Sequence, residues 1–145
     1  MVKILSVNDG SRILRHTGTI NTGGSGSATG DKLLLSKIAG EDLTSFKAVC
    51  LSNDQAFAYN PTNLAAYNRL VGFAFNGALT GSVVQILTSG VLEVSFPVID
   101  GAVYYVNGSS QLTTIPNAIG ISQEVGIGIS SGAIFIDIKQ PIVLI

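Results

Sequence analysis

The chain has 145 residues, 12% of them charged, with a net charge of −1 and a single cysteine. That length fits one domain, or one domain with an arm, and is enough to bury its own core. The lone Cys50 excludes a disulfide framework and a cysteine-based metal site. A mean hydropathy of +0.47 is high for a small monomer, so another chain is expected to cover some apolar surface.

In chain order, residues 2–7 and 12–20 read as short strands around Asn8-Asp9-Gly10-Ser11, a hairpin-type turn. Residues 21–30, rich in Gly, Ser and Thr, have the composition of a linker or extended loop. Leu33-Leu34-Leu35 opens a new ordered segment, and Ala39-Gly40-Glu41-Asp42-Leu43 is a turn. Strands follow at 46–51 and 55–59 around Ser52-Asn53-Asp54, then a loop over 60–68 with one helical turn across Leu64–Tyr67. Period-two alternation predicts strands at 69–75, 82–87 and 90–94. The same grammar then gives strands at 102–106 and 111–115, a loop over 116–120, and strands at 124–129 and 133–138. Pro141 stops the ladder before a last extended piece, 142–145.

The chain repeats itself. Ala48 to Ala78 and Ala102 to Gly132 run in register at an offset of 54 residues. Ala48-Val49-Cys50-Leu51 answers to Ala102-Val103-Tyr104-Tyr105, Asn53 to Asn107, Asn63 to Asn117, and Val71-Gly72-Phe73-Ala74-Phe75 to Val125-Gly126-Ile127-Gly128-Ile129. Each copy then turns and re-enters an apolar run, Val83–Leu87 and Ile134–Ile138. A period near 50 marks one supersecondary module used twice. Seventeen glycines, no tryptophan and scarce helix signals make the expected fold all-β. The architecture expected is a sandwich or small barrel built from two pseudo-repeats, with an extended N-terminal arm. The arm is residues 1–38 and the β-rich body 39–145, with repeat one near 46–94 and repeat two near 101–140. Val71 and Val125 are expected to be equivalent core positions.

Charge is unevenly spread. Residues 1–40 carry Lys3, Arg12, Arg15, Lys32 and Lys37 against Asp9 and Asp31, while 41–145 carry three basic and seven acidic residues. A mildly basic arm on a mildly acidic body suits docking onto an acidic surface, although solvated charge of ordinary density reads the same way. Met1-Val2-Lys3 and the short apolar run after it do not read as a signal peptide. Leu70 to Leu92 carries no charge and is long enough to span a bilayer, but its glycines and polar residues cluster at turn positions. Strand–turn–strand is the expectation, with no membrane partner.

Catalytic signals are sparse. The only histidine, His16, sits between Arg15 and Thr17, a poor setting for a neutral base. The carboxylates Glu41, Asp42, Asp54, Glu93, Asp100, Glu124 and Asp137 fall at turns or on alternating strand positions. No His/Cys cluster or Asp-rich calcium loop points to a metal. The glycine run 23–30 fails both nucleotide-loop patterns, since Asp31 follows Gly30 and no third glycine stands at the dinucleotide spacing. The cations are too sparse for a nucleic-acid surface, and Phe46 is the first aromatic residue. No catalytic, cofactor or metal site, and no nucleic-acid partner, is expected.

Several elements carry a resemblance: Ala39-Gly40-Glu41, Gln55-Ala56-Phe57-Ala58-Tyr59, Arg69-Leu70-Val71-Gly72-Phe73-Ala74, Gly81-Ser82-Val83-Val84 and Thr88-Ser89-Gly90-Val91-Leu92. To these add Val103-Tyr104-Tyr105-Val106, Gln111-Leu112-Thr113-Thr114-Ile115-Pro116, Gln123-Glu124-Val125-Gly126-Ile127-Gly128 and Ile136-Asp137-Ile138 before Pro141-Ile142. Together they make residues 39–145 resemble small β-rich bacteriophage virion structural proteins of the capsid-decoration, head-fibre and tail-fibre kind. The resemblance implies a trimer without catalytic residues, located in the virion after assembly in the host cytoplasm. Its partners would be its own copies and the major capsid or other virion proteins. Lys3, Arg12, Arg15 and Lys32 would be the virion-anchoring residues of the arm. A tail fibre, adaptor or receptor-binding module using loops 60–68 or 107–110 is the alternative, and a free-standing carbohydrate-binding protein or hydrolase a remote one.

Overall fold

The structure is a computed structural model that describes residues 26–29 and 32–144. Among these residues twelve strands and one 3₁₀ turn follow one another, and the fold is all-β. They are β1 (Gly26–Thr29), β2 (Lys32–Ala39), β3 (Ala48–Ser52), β4 (Gln55–Ala58), the turn Leu64–Ala66, β5 (Leu70–Ala74) and β6 (Val83–Glu93). Then come β7 (Val103–Val106), β8 (Leu112–Thr113), β9 (Gly120–Ser122), β10 (Gly126–Ser130), β11 (Ala133–Ile136) and β12 (Ile142–Leu144).

Ten strands form one sheet in the order β1-β2-β4-β3-β5-β6-β11-β10-β7-β8. The central part is a palindrome of two four-strand units, β4-β3-β5-β6 and β11-β10-β7-β8, joined where β6 pairs with β11. Each unit is a hairpin (β3–β4, β7–β8) whose first strand pairs with a third (β5, β10), which pairs with a fourth (β6, β11). The sequence repeat is thus a repeat of strand pairing. The first hairpin turns on Asn53 and Asp54, both with positive φ (50° and 63°), the backbone that a tight two-residue turn requires.

The first unit closes into a barrel. β2 lies parallel to β4 at Ile38–Gln55 and Ala39–Ala56, and antiparallel to β6 from Lys32–Gly90 to Ile38–Val83. The ring β2-β4-β3-β5-β6 therefore has no open edge. Its interior holds Ala39, Val49, Ala56, Ala74, Val84 and Ile86, with Leu43 among them. Five strands leave a narrow lumen, and alanine and valine fill it without overpacking. A second core lies outside the barrel wall. Ala48, Phe73 and Leu87 from the wall pack there with Leu92, Val98, Tyr104, Val106, Val125, Ile134 and Ile136 of the second unit.

Gly72 and Gly126 occupy matching places in the two units. A Cβ on Gly72 would meet the Leu87 carbonyl oxygen and stand 2.9 Å from Ile86 Cγ2. A Cβ on Gly126 would meet the Phe135 carbonyl oxygen and stand 2.9 Å from Ile134 Cγ2. Both positions let the third strand of the unit press against the fourth.

Several sequence expectations need correction. The strands expected at 82–87 and 90–94 are one strand, β6, which continues through a bulge opposite Leu33/Leu34 and a glycine at φ 119°, Gly90. Gly90 pairs with Lys32 on one edge and with Ile136 on the other, so β6 leaves the first unit and enters the second there. Residues 26–29, placed in a loop by composition, form β1 against β2. The expected boundary at 38/39 falls inside β2, whose residues 32–38 are a wall of the barrel. Val71 and Val125 are not equivalent in packing. Val71 is half-buried against the barrel core and Val125 fully buried in the second core. The remaining residues of the expected arm, with its strands at 2–7 and 12–20, lie outside the described residues.

Candidate interaction surfaces

An apolar row crosses the outer face of the second unit. Val103 of β7 stands opposite Ile127 of β10, Ile127 opposite Phe135 of β11, and Phe135 opposite Val91 of β6. Directly opposed residues share a face, so these four side chains form a continuous stripe four strands wide. Ile127 is 49% exposed and Phe135 42%. The local cause is an inverted pattern in β10: Gly126 and Gly128 are buried, while Ile127 and Ile129 face out. A small dimple beside Phe135 is bordered by Glu124, Asp137 and Lys139. Lys139 Nζ donates to Asp137 Oδ2 at 2.7 Å, which pushes the lysine pKa up. An exposed pair of this kind adds little stability and marks the polar rim.

The second surface is a groove of about 370 Å³ between the units, lined by Thr44, Ser45, Phe46, Lys47, Phe96, Gln111 and Leu112. Phe46 has φ 72°, a conformation that costs a non-glycine residue about 1–2 kcal/mol. It is held there by its N–H, which donates to Ala74 O at 2.7 Å, and by Phe96, edge-to-face at 6.1 Å and 78°. Lys47 Nζ donates to Ser109 O at 3.0 Å and ties the groove wall to the β7–β8 hairpin. Gln111 and Leu112 belong to the outermost strand of the sheet and its approach.

Several titratable groups are tied into the fold. Asp42 Oδ1 accepts from Thr80 N–H (2.8 Å) and Thr80 Oγ1 (2.9 Å), which hold its carboxyl below the ordinary value. Glu41 Oε2 accepts from Ala58 N–H at 2.7 Å, and Asp54 pairs with Lys37. Tyr59 is buried, its hydroxyl donates to Gln123 Oε1 at 3.5 Å, and burial pushes its pKa up to about 12. Burial likewise raises the Cys50 thiol, whose Sγ lies 3.8 Å from Ala58 O. Among the described residues no three His, Cys, Asp or Glu side chains gather into a metal-sized group. No described helix is long and apolar enough to cross a membrane, and the uncharged stretch 70–92 is β5, a turn and most of β6.

Of the expected anchoring residues, Lys3, Arg12 and Arg15 lie outside the described residues, as does His16. Lys32 starts β2, opposite Thr29 on one side and Gly90 on the other, and is half-buried. Neither surface was singled out from sequence. The row had a signal, since Gly-Ile-Gly-Ile puts the small residue at every buried position of the strand and isoleucine at every outward one. The groove had none, because it joins three separate segments, 44–47, Phe96 and Gln111–Leu112.

No protein-family model matches the chain, and no curated protein sequence matches it.

Proposed function

We propose that this chain is a structural protein of a bacteriophage particle, a capsid-decoration or head-fibre protein that attaches to the particle exterior as a trimer. The observation that carries the reading is the apolar row Val103–Ile127–Phe135–Val91. A chain with 12% charged residues has little else to solvate such a face, and contact with other copies covers it. Glu41 and Asp42 accept hydrogen bonds from backbone amides of the fold. The basic residues Lys3, Arg12 and Arg15 would bind an acidic capsid surface, each contact weak and the trimer strong by multivalency.

Light scattering on a sizing column tests the assembly. The trimer mass is expected for the natural chain and the monomer mass for Phe135→Glu; a monomer in both refutes the reading. Immunogold labelling of purified particles tests location, with label on the head expected and unlabelled particles fatal to the proposal. Label on the tail would favour the fibre or receptor-binding alternative. One observation favours that second reading: loops 60–68 and 107–110 meet, Thr62 Cγ2 standing 3.3 Å from the Cβ position of Gly108, with Leu64 and Tyr67 exposed beside them.

A further inference from the structure

The groove between the units has fixed walls. Its first wall, Thr44 to Lys47, is tied to the end of β5: Phe46 N–H donates to Ala74 O at 2.7 Å, and Ala74 N–H donates to Lys47 O at 2.8 Å. Its second wall, Gln111 and Leu112, belongs to the β7–β8 hairpin, where Asn107 Oδ1 accepts from Ser109 N–H (2.9 Å) and Gln111 N–H (3.0 Å). Ala48 N–H donates to Ser110 O at 2.9 Å and Lys47 Nζ to Ser109 O at 3.0 Å, which binds one wall to the other. Two non-glycine residues at positive φ, Phe46 (72°) and Ser110 (63°), stand one at each wall. Backbone of this kind collects at ligand sites, where the surroundings over-determine it. A cavity whose walls are set before a ligand arrives loses little ordering entropy on binding.

The lining divides by chemistry. Phe46, Phe96 and Leu112 supply an apolar side that packs against the core between the units. The two rings meet edge-to-face with centroids 6.1 Å apart, a contact that occupies one face of one ring. Thr44, Ser45 and Gln111 are exposed, and their side chains hydrogen-bond to no other described residue. They offer two hydroxyls and an amide, each able to donate and to accept. Lys47 is the one charged lining residue, half-buried, and no described carboxylate forms an ion pair with it. Ser109 O takes one proton of its ammonium group, and the others remain to be shared.

We propose that this groove binds an acidic saccharide, a sugar bearing one carboxylate, with the carboxylate on Lys47 Nζ and the C–H face of the sugar against the phenyl rings. The face of a phenyl ring is the negative part of its quadrupole, so it attracts C–H groups and repels a carboxylate, which fixes the direction in which the ligand enters. Sugar hydroxyls replace water on Thr44, Ser45 and Gln111. An acid without hydroxyls would leave those three groups desolvated and unpaired, and a neutral sugar would leave Lys47 without a counter-charge. A phosphate ester carries nearly two charges, more than one cation matches. The volume, about 370 Å³, is at the small end for ligand sites and suits one or two sugar rings. The site is separate from the apolar row and requires no particular location of the protein.

NMR titration of the amide shifts of the full chain tests the site, with methyl glucuronoside, N-acetylneuraminic acid and the neutral methyl glucoside as probes. At least one acidic probe should shift the Ser45, Lys47, Phe96 and Leu112 amides saturably, and bind about tenfold or more tighter than methyl glucoside. Lys47→Met should abolish that difference, and Lys47→Arg should keep it. If Lys47→Met does not fold, the natural protein decides. Its affinity for the acidic probe should fall about threefold or more as NaCl is raised from about 0.02 to about 0.5 M, with methyl glucoside unaffected. No saturable shift at these amides with either acidic probe overturns the proposal. Equal binding of methyl glucoside, insensitivity to salt, or binding of phenylpropionate as tight as that of the acidic sugars overturns it as well.

Discussion

Adding one methyl group at Gly72 or at Gly126 should destabilise the protein by similar amounts. At each position the new Cβ runs into a backbone carbonyl oxygen, that of Leu87 or of Phe135, and stands 2.9 Å from an isoleucine Cγ2. Backbone in a paired strand cannot swing aside as a side-chain tip can, so two strands must separate. Overpacking of this kind costs about 1–3 kcal/mol, against which alanine recovers roughly 0.5–1 kcal/mol of unfolded-state entropy. A net loss of about 1 kcal/mol is expected for each variant, or a fall in Tm of roughly 3 °C at about 3 °C per kcal/mol for a domain of this size. Gly77→Ala is the control. Its Cβ would meet nothing closer than 3.5 Å and its φ is not positive, so it should stay within about 0.5 kcal/mol of the natural protein. Urea unfolding at constant m-value measures all three. If Gly72→Ala and Gly126→Ala are as harmless as Gly77→Ala, the close strand approach and the structural repeat are both wrong.

Ile134→Ala should cost about 3 kcal/mol, since Ile134 is fully buried in the core between the units; chemical denaturation measures it. Phe135→Glu, one residue on, should leave stability within about 0.5 kcal/mol because the ring is exposed, while reducing the native mass. The hydrogen bonds from Thr80 that lower the Asp42 pKa contribute stability that is present above the unfolded value of 3.8 and is lost as pH falls through the folded one. Asp42→Asn should flatten that acid limb in a Tm-versus-pH series. Tyr59 has the opposite sign: its pKa is raised from 10.0 to about 12, so its contribution is complete below pH 10 and disappears as pH rises toward 12. Tyr59→Phe should remove that alkaline slope, and ultraviolet titration should find one phenol ionising near 12.

The repeat was legible because turns and glycines stand at the same offset, whereas the strand order was not, because it is set by pairing between segments distant in the chain. The expected equivalence of Val71 and Val125 failed for a local reason. β3 and β5 slip register between Val49–Gly72 and Cys50–Leu70, which leaves Val71 as the extra residue facing the barrel. No such slip occurs where β7 meets β10. The alignment of Val83–Leu87 with Ile134–Ile138 was displaced as well. Ile86 matches Ile134 by its contact with the glycine, because the first copy crosses from β5 to β6 over residues 75–82 and the second from β10 to β11 over only two. Thr88-Ser89-Gly90 looked like a turn because its composition is that of a turn. Pairing on both edges overrode that local preference. The outward Ile127 and Phe135 were visible as residues but not as a surface, since opposition across strands depends on register.

Sharing β6 explains the difference between the two copies. A five-stranded barrel needs one strand more than the hairpin-plus-two unit provides. The first copy draws that strand from β2, which precedes the repeat. Among the described residues the second could draw only on the tail of β6, whose residues 90–93 already pair with β11 and whose continuation turns away at Ser95-Phe96-Pro97. Repeating the unit in tandem therefore leaves one seam closed and one without a strand partner among the described residues. An open edge beside an apolar groove favours uncontrolled strand addition, and natural sheets cover such edges. Here the groove has a shape fixed by a strained Phe46, whose cost of about 1–2 kcal/mol is set against its hydrogen bond to Ala74 O and its packing on Phe96 and the second core. Phe46→Gly weighs strain against packing. It relieves the φ strain but removes the ring from Phe96, so urea unfolding should find a net loss of about 1 kcal/mol, and a variant more stable than the natural protein would show that the ring packing does not offset the strain.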